Sequence, residues 1–129
     1  MQFAIVITDT SFDLADFIRI NQGPFSFQYS GVSEIVYEDT RKKYSHISIK
    51  KDNTLYELME DEEKMIVDNS FESFNMFLFM YFEFENAKQI IGNIPLDKKI
   101  LIDNDHGCIM NRDSFMKTNS YQEFINTKH

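Results

Sequence analysis

Asn69-Ser70-Phe71-Glu72-Ser73-Phe74-Asn75-Met76-Phe77-Leu78-Phe79-Met80-Tyr81-Phe82-Glu83-Phe84 is the run whose secondary structure decides the fold. Asn69 offers a side-chain oxygen to the backbone N–H groups of a first helical turn. Glu72 stands three positions later, where it can bond back. Phe71, Phe74, Phe77, Leu78, Tyr81 and Phe82 follow at helical spacing, and Phe79, Met80 and Phe84 widen the apolar stripe almost to the full circumference. The spacing predicts a deeply packed helix that ends near Gly92, with Pro95 soon after. So dense an aromatic series also admits a cofactor-box reading. Core filling is preferred, because it needs no further partner.

A helix of this kind needs a sheet to pack on, and the flanking sequence supplies strands. Residues 3–8 are apolar and β-branched, as in a central strand. Thr10 or Ser11 then opens a short helix, with Asp13 as its capping partner and Leu14, Phe17 and Ile18 on one face, stopped by Gly23-Pro24. Phe25, Phe27 and Tyr29 alternate with polar Ser26 and Gln28 in a half-buried strand. Ser30-Gly31 turns the chain, and Ile35 and Tyr37 continue the pattern, or Val36 does so on the opposite face. Residues 44–49 read as a strand. After the turn Lys51-Asp52-Asn53, residues 54–59 read as its antiparallel partner, with Met65 to Val67 as a further short strand.

Toward the C-terminus, Ile100-Leu101-Ile102 and Cys108-Ile109-Met110 flank Asp103-Asn104-Asp105-His106-Gly107, a hairpin with a polar turn closed by glycine. A small element holds Phe115 and Met116, and Ser120 with Glu123 forms a capping box leading into Phe124 and Ile125. The expected fold is one α+β domain over residues 1–129. Its antiparallel β-sheet packs against a central aromatic-rich helix, with short N-terminal and C-terminal helices.

Composition supports a folded core. Thirteen phenylalanines and six tyrosines can fill it without disulfides or a structural metal. The single cysteine, Cys108, has no internal partner, which fits a reducing compartment. The N-terminal residues carry no basic leader, and no apolar run approaches the length of a bilayer span, so a cytoplasmic protein without membrane contact is expected.

Charge constrains the partner class. The formal net charge of -8 disfavours phosphate backbones and anionic membranes. Between Asp52 and Glu85 stand ten acidic residues and one basic residue, Lys64, and the densest block comprises Glu57, Glu60, Asp61, Glu62 and Glu63. Such a block reads as a solvated face, as a surface that captures lysine and arginine, or as paired catalytic carboxylates, the last requiring a cleft and one raised pKa. Arg41, Lys42, Lys43, Lys50 and Lys51 form a local basic strip without acids. It reads as solubilising charge. A nucleic-acid surface would need the five on one face beside exposed aromatics such as Tyr44.

Asp103, Asp105 and His106 are the one tight cluster of metal-type ligands. It lacks the glutamate of a calcium loop and the second histidine of a metalloprotease helix. A β-turn with a surface histidine is the preferred reading, and neither metal nor cofactor is expected. His46 is expected to face solvent or to pair across strands. His106 and Cys108 stand two apart, on one side of an extended arm, but no oxyanion site or orienting third group accompanies them. Cys108 is expected to be buried. The four scattered glycines form no phosphate-binding loop.

The acidic block at 57–63, the aromatic run 71–84 and the strand–turn–strand ending at 100–110 together resemble the immunity proteins of bacterial contact-dependent growth inhibition, a toxin–immunity system. The resemblance lies in overall character across the chain. It implies a cytoplasmic toxin inhibitor, not an enzyme, that binds and neutralises one cognate toxin domain, often a nuclease, by covering its active site or substrate surface. The physical reading agrees: nuclease surfaces that hold polyanions are basic, and an acidic protein face can occupy them. Tyr56 beside the block, and Tyr37 beside Glu38 and Asp39, are candidate anchors. Asp61, Glu62 and Glu63 are candidate steering charges. The rival readings are a small acidic adaptor or regulatory subunit and a small hydrolase or metal-binding protein. The hydrolase reading requires a concave pocket that gathers Asp103, Asp105 and His106, or His106 and Cys108. A convex hairpin tip would argue against it.

Overall fold

The computed structural model describes residues 1–21, 25–39 and 46–128, with Phe25, Glu38 and Asp39 described by backbone alone. Arg41, Lys42, Lys43, Tyr44, the Gly23-Pro24 stop and His129 lie outside these residues. Seven strands are described: β1 Gln2–Asp9, β2 Phe25–Tyr29, β3 Glu34–Asp39, β4 His46–Lys51, β5 Phe74–Tyr81, β6 Ile100–Asp103 and β7 Ile109–Asn111. They form one sheet in the order β2-β3-β4-β5-β1-β6-β7, with every neighbouring pair antiparallel. The helices are α1 Leu14–Arg19, α2 Asp61–Ser70, α3 Phe84–Gly92, α4 Arg112–Met116 and α5 Tyr121–Asn126.

The sheet is packed on both faces, and strand alternation divides the side chains between two cores. On one face Ala4, Val6, Phe77, Phe79, Ile47 and Ile49 meet Phe17 of α1, Phe84 and Ile91 of α3, Phe115 of α4 and Phe124 of α5. Phe17 stands edge-on to Phe12, Phe77 and Phe79, with ring centroids 4.9, 5.1 and 5.5 Å apart, a geometry worth about 0.5–1.5 kcal/mol per pair beyond the area buried. On the opposite face Ile5, Ile7, Met76, Leu101 and Ile109 meet Met59, Val67 of α2 and Phe71.

The expected α+β architecture stands, an antiparallel sheet packed against helices. The helix placed at residues 71–84 is corrected. Those residues hold strand β5, next to β1 at the centre of the sheet, and the helix follows it, as α3. Because β5 is covered on both faces, Asn75, Phe77, Phe79 and Tyr81 are buried on one side while Met76 is buried on the other. With apolar side chains at nearly every position, periods of 2 and 3.6 fit equally well. The expected end of the helix at Gly92 is where α3 ends.

Three local expectations are also corrected. Residues 54–59 do not pair with β4; a 3-10 helix spans Asn53–Leu58, and β5 itself takes the place beside β4. Asp52 caps that helix by accepting from the Thr54 N–H at 3.0 Å. Met65 to Val67 lies within helix α2, whose first turn carries Asp61, Glu62 and Glu63, the acidic residues that a helix N-terminus favours. The first helix is capped by Asp13, whose carboxylate accepts from the Leu14 N–H at 2.7 Å. Thr10 and Ser11 sit in a turn closed by Asp9, which accepts from the Ser11 N–H at 2.7 Å.

The N-terminal central strand and the β6–β7 hairpin are found as expected, and Ser120 caps α5, but the expected capping box is corrected, since Glu123 reaches back to Asn119 and not to Ser120. Ser120 accepts from the Glu123 N–H at 3.2 Å, while the Glu123 carboxylate takes the Asn119 N–H at 2.8 Å. His46 is half-buried, edge-on to Phe82 at 5.0 Å. Among the described residues no helix is long and apolar enough to cross a membrane.

Candidate functional site

The turn between β6 and β7 is built by its own side chains. Asp103 accepts from the Asp105 N–H at 2.8 Å, and Asn104 accepts from the N–H groups of His106 and Cys108 at 2.8 and 3.0 Å. Asp105 and Gly107 take positive φ of 58° and 92°, tolerated by aspartate and free of penalty for glycine. The Asn104 amide, fully buried, donates to the carbonyls of Phe124 and Thr127 at 2.8 and 3.1 Å and so locks the turn to the C-terminal helix. Lys128 adds a bond to the His106 carbonyl at 2.8 Å.

This rigid turn forms one wall of a cleft of about 570 Å³. Asp103, Asp105, His106 and Gly107 line it from the turn, and Glu60 and Glu63 from the start of α2. The remaining wall is apolar. It is made of Phe3 and Ile5 of β1, Leu78 of β5, and Leu55, Leu58 and Met59 from the 3-10 helix and the residue after it. The ionisable lining residues are thus four carboxylates and one histidine, with no lysine or arginine. Asp103, Asp105 and His106 thus line one cleft.

Asp103 is the chemically unusual member. It is 3% exposed, and it pairs with Ile5 in the register of β1 and β6, which sets its side chain on the cleft face of the sheet. Burial pushes its pKa up to about 6. The Asp105 N–H pulls the other way, and the charges of Glu63 and Asp105 add to the rise. Glu63 itself is held by accepting from the Glu60 N–H at 3.0 Å.

The acidic block is split by the helix. Glu60 and Glu63 reach the cleft, whereas Asp61 and Glu62 lie exposed outside it and Glu57 lies exposed before α2. Tyr56 is half-exposed; its hydroxyl donates to Asp68 at 3.0 Å, its ring lies 5.1 Å from Phe74, and Lys64 sits over it at 5.4 Å. The bond to Asp68 holds the phenol pKa above its ordinary value.

Tyr37 is corrected as an anchor. It is fully buried in the sheet core, with its ring 6.2 Å from Phe27, because β3 turns the side chains of Ile35 and Tyr37 toward the helices. Burial drives its phenol pKa far upward. Glu38 and Asp39 close β3, and their side chains lie outside the described residues. Of the basic strip, Lys51 is tied to Asp13 at 3.0 Å and Lys50 is exposed.

His106 and Cys108 do not converge. The positive φ of Gly107 breaks the extended alternation between them, so His106 faces the cleft while Cys108 enters the opposite core. Burial raises the Cys108 pKa, with Asp103 adding to the effect, and a protonated thiol is a poor nucleophile. Among the described residues no group of three or more histidine, cysteine, aspartate and glutamate side chains is placed to hold a metal ion, so the metal-binding alternative has no support. Phe3, Leu55, Leu58 and Leu78 are lining residues that sequence reasoning missed, and a single sequence carries no signal that would join them. Comparison with family models, curated proteins and solved structures finds no match.

Proposed function

We propose that this protein binds a basic protein partner stoichiometrically and neutralises it, the role that an immunity protein plays against a toxin nuclease. The supporting observation is the junction of charge and apolar surface. Asp61 and Glu62 lie exposed at the start of α2, and beside them Phe3 and the 81% exposed Leu58 stand at an acidic cleft. Exposed acids steer a basic partner and exclude acidic ones. Exposed apolar side chains gain by burial on contact and supply the anchors that charge alone does not. On this reading the protein acts in the cytoplasm.

Co-expression with a toxin domain encoded beside this protein tests the reading. Cells should survive, and a one-to-one complex should co-purify. A basic neighbouring domain that is neither neutralised nor bound would overturn it and favour an adaptor for another basic protein.

A second reading has its own support. A concave site gathering Asp103, Asp105 and His106, with one carboxyl that keeps its proton to about pH 6, suits general acid catalysis by a small hydrolase. On that reading Asp103→Asn abolishes turnover while binding to a basic protein persists.

A further inference from the structure

We infer that the cleft between α2 and the β6–β7 turn receives one lysine or arginine side chain of a protein partner, its alkyl stem against Leu58 and Leu78 and its charged head at Asp103. The inference deepens the partner-binding reading and rests on it.

Four observations carry it. Asp103 is a carboxyl 3% exposed that lines an open cleft, and among the described residues its hydrogen-bond donor is the Asp105 N–H alone, to one of its two oxygens. No lysine or arginine lines the cleft with it, and the nearby Lys128 is engaged by the His106 carbonyl at 2.8 Å. A buried carboxylate left without a counter-charge is costly, and an incoming cation relieves that cost. The groups facing Asp103 are Glu60 just before α2, Glu63 in its first turn, and Asp105 and His106 from the β6–β7 turn. Three of these four are carboxylates, so the field favours a cation and opposes an anion.

The apolar wall selects the kind of cation. A hydrated metal ion gains nothing from leucine, whereas the methylene stem of lysine or arginine packs on it while the head reaches the acids. The mouth of the cleft continues onto exposed Phe3 and Leu58, against which the polypeptide bearing that side chain can lie. A free amine would leave that surface unused. The elevated pKa of Asp103 agrees, since a buried carboxyl lacking a cation resists ionisation.

Titration with N-butylguanidinium, followed by amide chemical shifts, tests the cleft without any partner. Saturable shifts confined to the residues around Asp103, at millimolar affinity, are expected, and a neutral butyl amide should give none. Asp103→Asn keeps the oxygen that accepts from Asp105 and should weaken the probe at least about tenfold. With His106→Asn as the background, so that no imidazole gains charge in the cleft, lowering the pH from 7.5 to 5 should weaken the probe by a similar factor, and adding Asp103→Asn should abolish that pH dependence. Shifts that do not saturate, or equal binding by Asp103→Asn, would overturn the inference even where a partner complex forms. Micromolar affinity for the free probe would overturn the assignment to a partner side chain and point to a small amine. Probe binding as expected, with no basic partner neutralised, would instead locate the failure in the partner reading.

Discussion

Glu63 in the first turn of α2 and Asp103 at the end of β6 line the same cleft. Asp103 holds its proton to about pH 6 because it is buried and because the charge of Glu63 faces it. Two acids from distant parts of the chain are thereby coupled, and their coupling is open to measurement.

The first prediction concerns pH and stability. The ordinary aspartate value is 3.8 and the folded value about 6, so between them the folded state holds more protons than the unfolded state. Stability therefore falls as pH rises through this window, and the full cost, on the order of 3 kcal/mol, is present above it. Asp103→Asn removes the ionisable group. Chemical denaturation should find the variant more stable than wild type at pH 7.5 and close to it at pH 3.5. A variant less stable at pH 7.5 would show that ionised Asp103 already has a compensating partner in the fold.

Steering charge gives the second. Asp61→Lys with Glu62→Lys should slow association with a basic toxin domain and flatten its dependence on salt, while dissociation changes little. Glu63 is left out because its side chain bonds the Glu60 N–H, and its loss would fray the helix. Lysine in a first helical turn also opposes the helix dipole, so thermal melting must accompany the kinetics. Association rates unchanged at low salt would remove these two residues from the encounter surface.

Tyr37 and Tyr56 separate core from contact. Tyr37→Ala empties a fully buried site and should destabilise the protein by about 3–5 kcal/mol. Tyr56→Ala should leave the fold largely intact and weaken the partner complex by at least about tenfold if the half-exposed ring is an anchor. Calorimetric binding and denaturant unfolding of both variants decide between these roles.

Asn104 is the fourth test. Its side chain makes four hydrogen bonds from a fully buried position, two within the turn and two to the end of α5. Asn104→Ala takes the acceptor from the His106 and Cys108 N–H groups and a donor from the Thr127 carbonyl, while the Phe124 carbonyl keeps the Thr127 N–H at 3.4 Å, and should cost about 3 kcal/mol or more. Hydrogen exchange should rise first at His106 and Cys108, whose N–H groups Asn104 now holds. Protection unchanged at both positions would mean that the turn is held by its neighbours instead.

Local chemistry was legible where one residue type does one job. Asn104, Asp105 and Gly107 predict a polar turn with positive φ, and the turn has it. Ser120 predicts a cap, and it accepts from the Glu123 N–H. The run through Phe77 and Phe79 was not legible, because side chains buried on both faces of a strand erase the alternation that identifies one. The acidic block was visible as charge but not as a helix start. Its division into cleft-facing Glu60 and Glu63 and outward Asp61 and Glu62 follows from helical geometry alone.

By itself, the sequence determined an α+β composition, an aromatic core, a free and buried thiol, and an excess of acid near residue 60. These depend on composition and on neighbours along the chain. Tertiary structure alone decided that β5 lies beside β1, that Tyr37 is core, and that Glu63 and Asp103 share a cleft walled by Leu58 and Leu78. Those facts depend on strand register and on which helix covers which face. Such choices are set by long-range packing, which no short window of sequence encodes.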